Sequence, residues 1–93
     1  MEFNALLEKM RSENFTPGRL TAAQQALANN CLSTDEVIEI CRVMNDDYAS
    51  FTFAKNAYPR VTDRKNYHRV PYILIIEQNR IDLNKFIANG GRE

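Results

Sequence analysis

The chain has 93 residues, 44% of them hydrophobic, and its 12 basic and 12 acidic side chains leave no formal net charge. That length makes one small domain, and neutrality excludes a general attraction to nucleic acid or anionic lipid, so any such role has to come from a local patch. Cys31 and Cys41 lack the CxxC or histidine context of a zinc site and read as small buried hydrophobes, while a bridge between them would need backbones within about 7 Å.

In chain order, Phe3, Leu6, Leu7 and Met10 fall at i, i+3, i+4 and i+7 and predict a one-faced helix over residues 2 to 12, with Glu2 near its positive end. The acids here and the lack of a continuous apolar segment do not fit a signal peptide. Thr16-Pro17 predicts a hydroxyl cap and a proline-led second helix from Pro17 to Ala28. Phe15 would staple to Leu20, and the helix would end at Asn29-Asn30, where asparagine tolerates a left-handed terminus.

Ser33 and Glu36 have capping-box spacing, and Val37, Ile40, Cys41 and Met44 form the apolar stripe of a third helix. Asp46 or Asp47 caps a fourth that turns Phe51, Ala54 and Tyr58 inward and stops before Pro59. Thr62 or Asp63 caps a fifth, with Tyr67, Val70 and Leu74 on its stripe and a kink or break at Pro71. The run Ile73-Leu74-Ile75-Ile76 suits a buried strand by propensity, but a lone strand would have no partner in a helical chain. At seven residues, Val70 to Ile76 is far short of the roughly 20 needed to span a membrane. A last short helix, near Arg80 to Ala88, presents Leu83, Phe86 and Ile87 and dissolves at Gly90-Gly91.

The chain also echoes itself. Leu20, Ala23 and Leu27 answer to Phe51, Ala54 and Tyr58 at a constant offset of 31, and Ser33, Val37 and Ile40 answer to Asp63, Tyr67 and Val70 with a one-residue slip. A period near thirty with helical spacing inside each unit is the mark of stacked helical hairpins. The reading is an all-α fold: one domain over residues 1 to 88 with a repeat at about 15–44 and 46–76, leading and trailing helices in an antiparallel stack, and a flexible tail at 89–93.

The string FTPGRLTAAQQALANNCLSTDEVIEICRVM, followed by FAKNAYPRVTDRKNYHRVPYIL, resembles the family called domain of unknown function 4476. Phe15, Leu20, Ala23, Leu32, Val37, Phe51, Ala54, Lys55, Tyr58, Val61, Asp63, Asn66 and Tyr67 carry the likeness, which covers about residues 10 to 87. Asp46-Asp47, where family members usually show an aromatic, and Pro71 depart from the pattern. The resemblance implies a compact helical module of bacterial envelope proteins and some eukaryotic multidomain proteins, and it transfers no catalytic residues.

Charge is uneven along the chain. Between Ser33 and Tyr48 five acids face one base, and between Lys55 and Tyr72 the five bases Lys55, Arg60, Arg64, Lys65 and Arg69 face only Asp63. Those five are the candidate partner-binding residues, with Lys55, Arg64 and Lys65 expected to enter a groove between the two hairpins and meet an acidic peptide. Tyr58, Tyr67 and Tyr72 interleave with them, the raw material of a single-stranded nucleic-acid surface, although core tyrosines cannot stack on bases. His68 is the sole histidine, and no nucleophile, general-base pair, glycine-rich phosphate loop or cofactor motif accompanies it. The chain therefore reads as a non-catalytic interaction module that docks another protein or a neighbouring domain, as a monomer or weak dimer. Nucleic-acid binding through residues 55–72 is the alternative.

Overall fold

The computed structural model describes residues 2–92. Its α-helices are α1 (Phe3–Ser12), α2 (Thr16–Asn29), α3 (Thr34–Met44), α4 (Asp47–Ala57) and α5 (Glu77–Ala88), with a 3₁₀ turn at Tyr58–Arg60 and a 3₁₀ helix at Arg64–Ile73. Among the described residues the only extended pairing is a parallel bridge between Leu32 and Val61. Leu32 N–H donates to the Arg60 carbonyl and Thr62 N–H to that of Leu32, so the α2–α3 connection lies beside the one that follows α4. Successive elements alternate in direction as an antiparallel stack. Because the 3₁₀ helix makes the return pass, α4 and α5 run parallel: Asp47 meets Asn79 at their starts and Tyr58 meets Phe86 near their ends.

The helix starts show which expected caps form. Glu2 caps α1 by accepting from the N–H groups of Asn4 and Ala5. Ser33 and Glu36 form the reciprocal capping box of α3, and Asp46 caps α4 by accepting from Ala49 N–H at 2.8 Å. Thr16 does not cap α2. It is the first helical residue, the cap position falls on Phe15, and no side chain bonds there. The staple fails too, since Phe15 is 77% exposed. Asn30 is extended rather than left-handed at the end of α2; the left-handed asparagine is Asn45, with φ 52°, closing α3.

Burial corrects two further expectations. Val37, Ile40, Cys41 and Met44 are buried as their stripe requires, but on α4 the fully buried aromatic is Phe53, while Phe51, Tyr58 and, on α2, Leu20 pack on the core margin. Cys41 lies inside and Cys31 is exposed, and both are free thiols.

The expected fifth α-helix is instead the 3₁₀ helix, which runs through Pro71 to Ile73. An α-helix there would drive the proline ring into the Tyr67 carbonyl, whereas i→i+3 geometry stacks residues three apart on one face. Two such rows point inward, Tyr67 with Val70, and Pro71 with Leu74. Tyr67 is fully buried and its hydroxyl donates to the Ala54 carbonyl at 2.7 Å. Burial holds that phenol well above its usual ionisation range, so it stays a donor.

Of the run Ile73 to Ile76, Ile73 ends the 3₁₀ helix and Leu74 to Ile76 form neither strand nor helix. Asp47 at the start of α4 accepts from the N–H groups of Ile75 and Ile76 at 2.6 and 3.2 Å, and the chain enters α5 at Glu77, three residues before the expected start. Buried Ser50 and Cys41 tie α3 to α4 through paired bonds, Ser50 Oγ donating to Cys41 O and Cys41 Sγ to Ser50 O.

Candidate partner-binding groove

The five candidate cations are distributed by the elements that carry them. Arg69 pairs with Asp35 at the start of α3, 2.8 Å away, and Arg60 donates to the Ala28 carbonyl at the end of α2. Arg64 stands over the Tyr58 ring and reaches the Pro59 carbonyl, while Lys65 is exposed, its carbonyl in contact with His68 Nδ1. Lys55 faces elsewhere, toward α5. Its ammonium is 5.3 Å from the Phe51 ring centre and 5.4 Å from that of Phe86, a bridge between two aromatic faces.

Asp63 is bound inward. Its Oδ1 accepts from the N–H and hydroxyl of Thr34, and its Oδ2 from the Asn66 amide. It therefore caps α3, twenty-nine residues away, and not the 3₁₀ helix that follows it. The bond from Asn66, with those from Thr34, holds its carboxyl below the ordinary value.

A groove does form between the parallel helices α4 and α5. It has a volume of about 380 Å³ and is lined by Phe51 and Phe86, by Lys55, Lys85 and Arg92, and by Asp82 and Asn89. Among the described residues that line it, three are basic and one is acidic. An aromatic floor beside convergent cations can bury apolar side chains while meeting carboxylates at the rim.

Of the candidate residues only Lys55 lines this groove; Lys85, Arg92 and Asp82 join it through packing that sequence reading missed. Gly90 and Gly91, at φ 70° and 85°, turn the chain after α5, with Gly91 N–H donating to Phe86 O. A Cβ on Gly91 would stand 2.7 Å from the Tyr58 ring, so the turn seats against the residue that follows α4, and Arg92 after it lines the groove. Paired glycines after a helix were the available signal.

The three tyrosines of the basic stretch differ in access. Tyr67 is buried, Tyr58 is half-buried in edge contact with Tyr67 and Phe86, and Tyr72 is 77% exposed. Burial pushes the Cys41 thiol up to about 12, so it carries no thiolate at neutral pH. Among the described residues no cluster of three or more His, Cys, Asp or Glu side chains could hold a metal ion, and no helix is long and apolar enough to cross a membrane.

No curated protein and no solved structure matches the chain. The family described as Domain of unknown function (DUF4476) matches residues 1–87, nearly the whole chain, in keeping with the resemblance carried by the doubled aromatic and Ala positions and by Asp63, Asn66 and Tyr67. With its helical stack and the interhelical cap at Asp63, the chain belongs to the domain of unknown function 4476 family.

Proposed function

We propose that this domain is a non-catalytic docking module whose α4–α5 groove takes an acidic segment, bearing apolar side chains, from another protein or a neighbouring domain. The observation that carries the reading is the convergence of Lys55, Lys85 and Arg92 over the Phe51–Phe86 floor. Carboxylates approaching such a rim are steered by its charge, and the rings supply the apolar contact that holds the segment. Nucleic-acid binding through residues 55–72 is the second reading, and exposed Tyr72 with Arg60, Arg64 and Lys65 is what favours it.

Fluorescence anisotropy tests the first against the second, with a labelled peptide of glutamates interspersed with leucines and, in parallel, a random single-stranded oligonucleotide. The peptide is expected to bind, to weaken as salt rises, and to lose about tenfold or more in affinity on Lys85→Glu with Arg92→Glu, a change of about 1.4 kcal/mol. Peptide binding unchanged by that double reversal, or oligonucleotide binding lost on reversing Arg60, Arg64 and Lys65 with no peptide binding at all, overturns it.

A further inference from the structure

Glu77, Ile81 and Lys85 follow one another at i, i+4 and i+8 on α5, so they form a single stripe, and all three are exposed. Ile81 is 38% exposed, an aliphatic side chain midway between an acid and a base. At 1.5 Å per residue each charged neighbour lies about 6 Å along the axis from Ile81, on opposite sides. Gln78 and Asn84, both exposed, flank Ile81 at i−3 and i+3 and repeat the symmetry with two amides. The stripe is therefore complementary to its own reverse.

We propose that this face of α5 pairs antiparallel with α5 of a second copy of this chain, about a two-fold axis through Ile81. In that pairing Ile81 packs on its symmetry mate, each Glu77 faces the other chain's Lys85, and Gln78 faces Asn84. A parallel pairing would set Glu77 against Glu77 and Lys85 against Lys85, so charge selects the closed, isologous arrangement. The contact spans one helix face, below the roughly 1,200 Å² of a stable interface, and the pair is accordingly weak and concentration-dependent. Lys85 borders both this face and the groove, so pairing competes with an acidic ligand there. Glu77 and Ile81 lie outside the groove lining, and the pairing does not depend on the docking function.

Sedimentation analysis of the full chain at low salt, up to about 1 mM, tests the pairing, since that concentration detects dissociation constants in the same range. Average mass is expected to rise toward the dimer, to remain monomeric in Glu77→Lys and in Ile81→Asp, and to recover in Glu77→Lys combined with Lys85→Glu, where the charges are exchanged. Circular dichroism checks that each variant keeps its helices. A wild-type chain that stays monomeric throughout, or a folded Glu77→Lys variant that dimerises as wild type does, overturns the proposal. The groove is read separately, because Glu77→Lys should leave the acidic peptide's affinity intact.

Discussion

Asp63 shows how one carboxylate can be legible as a cap while its target is not. The sequence places it before an element of its own, and locality points to that element. In the fold its acceptor oxygens go to Thr34 and Asn66. What redirects it is the pairing of Leu32 with Val61, which sets the two connections side by side. Asp47 behaves alike: burial alone would raise its carboxyl, but bonds from Ile75 N–H, the Asn79 amide and Ile76 N–H, with the Arg80 charge nearby, bring it below the ordinary value. Both carboxylates are depressed in the folded state, so the stability they contribute is present above the unfolded value and is lost as pH falls through the folded one. Asp63→Asn is therefore expected to lower the melting temperature at pH 7, and the gap from wild type should close as pH drops below about 4, the range in which an unperturbed aspartate protonates. Thermal scans at both pH values check this; a gap that persists undiminished in acid means that the charge of Asp63 was not what stabilised α3.

At the scale of the element, periodicity located the helices but misjudged which face of α4 and which hydrogen-bond pattern the fold adopts. The offset of 31 aligned Leu20 with Phe51 and set both in the core. The structure leaves both half-buried, buries the aligned Ala23 and Ala54 completely as expected, and puts Phe53 in the place expected of Phe51. Two phenylalanines two residues apart point to different sides of a helix, and only contact with α2, α3 and α5 decides between them. Phe53→Ala should cost about 3–5 kcal/mol, and Phe51→Ala distinctly less because part of its surface already meets solvent. Urea denaturation of both variants measures the ordering, and an equal or reversed loss contradicts the assignment of the core face. Pro71 was legible as a disturbance, yet not as a 3₁₀ helix, because the choice rests on whether rows three apart find a core to enter. Here Tyr67 and Val70 do.

For the molecule as a whole, length indicated a small domain, apolar spacing indicated that it is helical and the doubled pattern pointed to its family, but the groove was only partly legible. Lys55 was visible because it opens a basic stretch. Lys85 and Arg92 were not, since they come from α5 and the turn after it, and only the parallel course of α4 and α5 brings them beside Lys55. The remaining four cations follow their own elements to other partners and edges. Sequence clustering of like charge thus differs from spatial convergence, which the packing order determines. The central claim is that the docking site is this α4–α5 groove. Amide chemical-shift mapping of the ¹⁵N-labelled chain during titration with the glutamate–leucine peptide tests it most directly. The expected result is a set of shifts confined to Phe51, Lys55, Lys85, Phe86, Asn89 and Arg92 that shrinks as salt is added; shifts gathered instead at Arg60, Arg64, Lys65 and Tyr72 would contradict it.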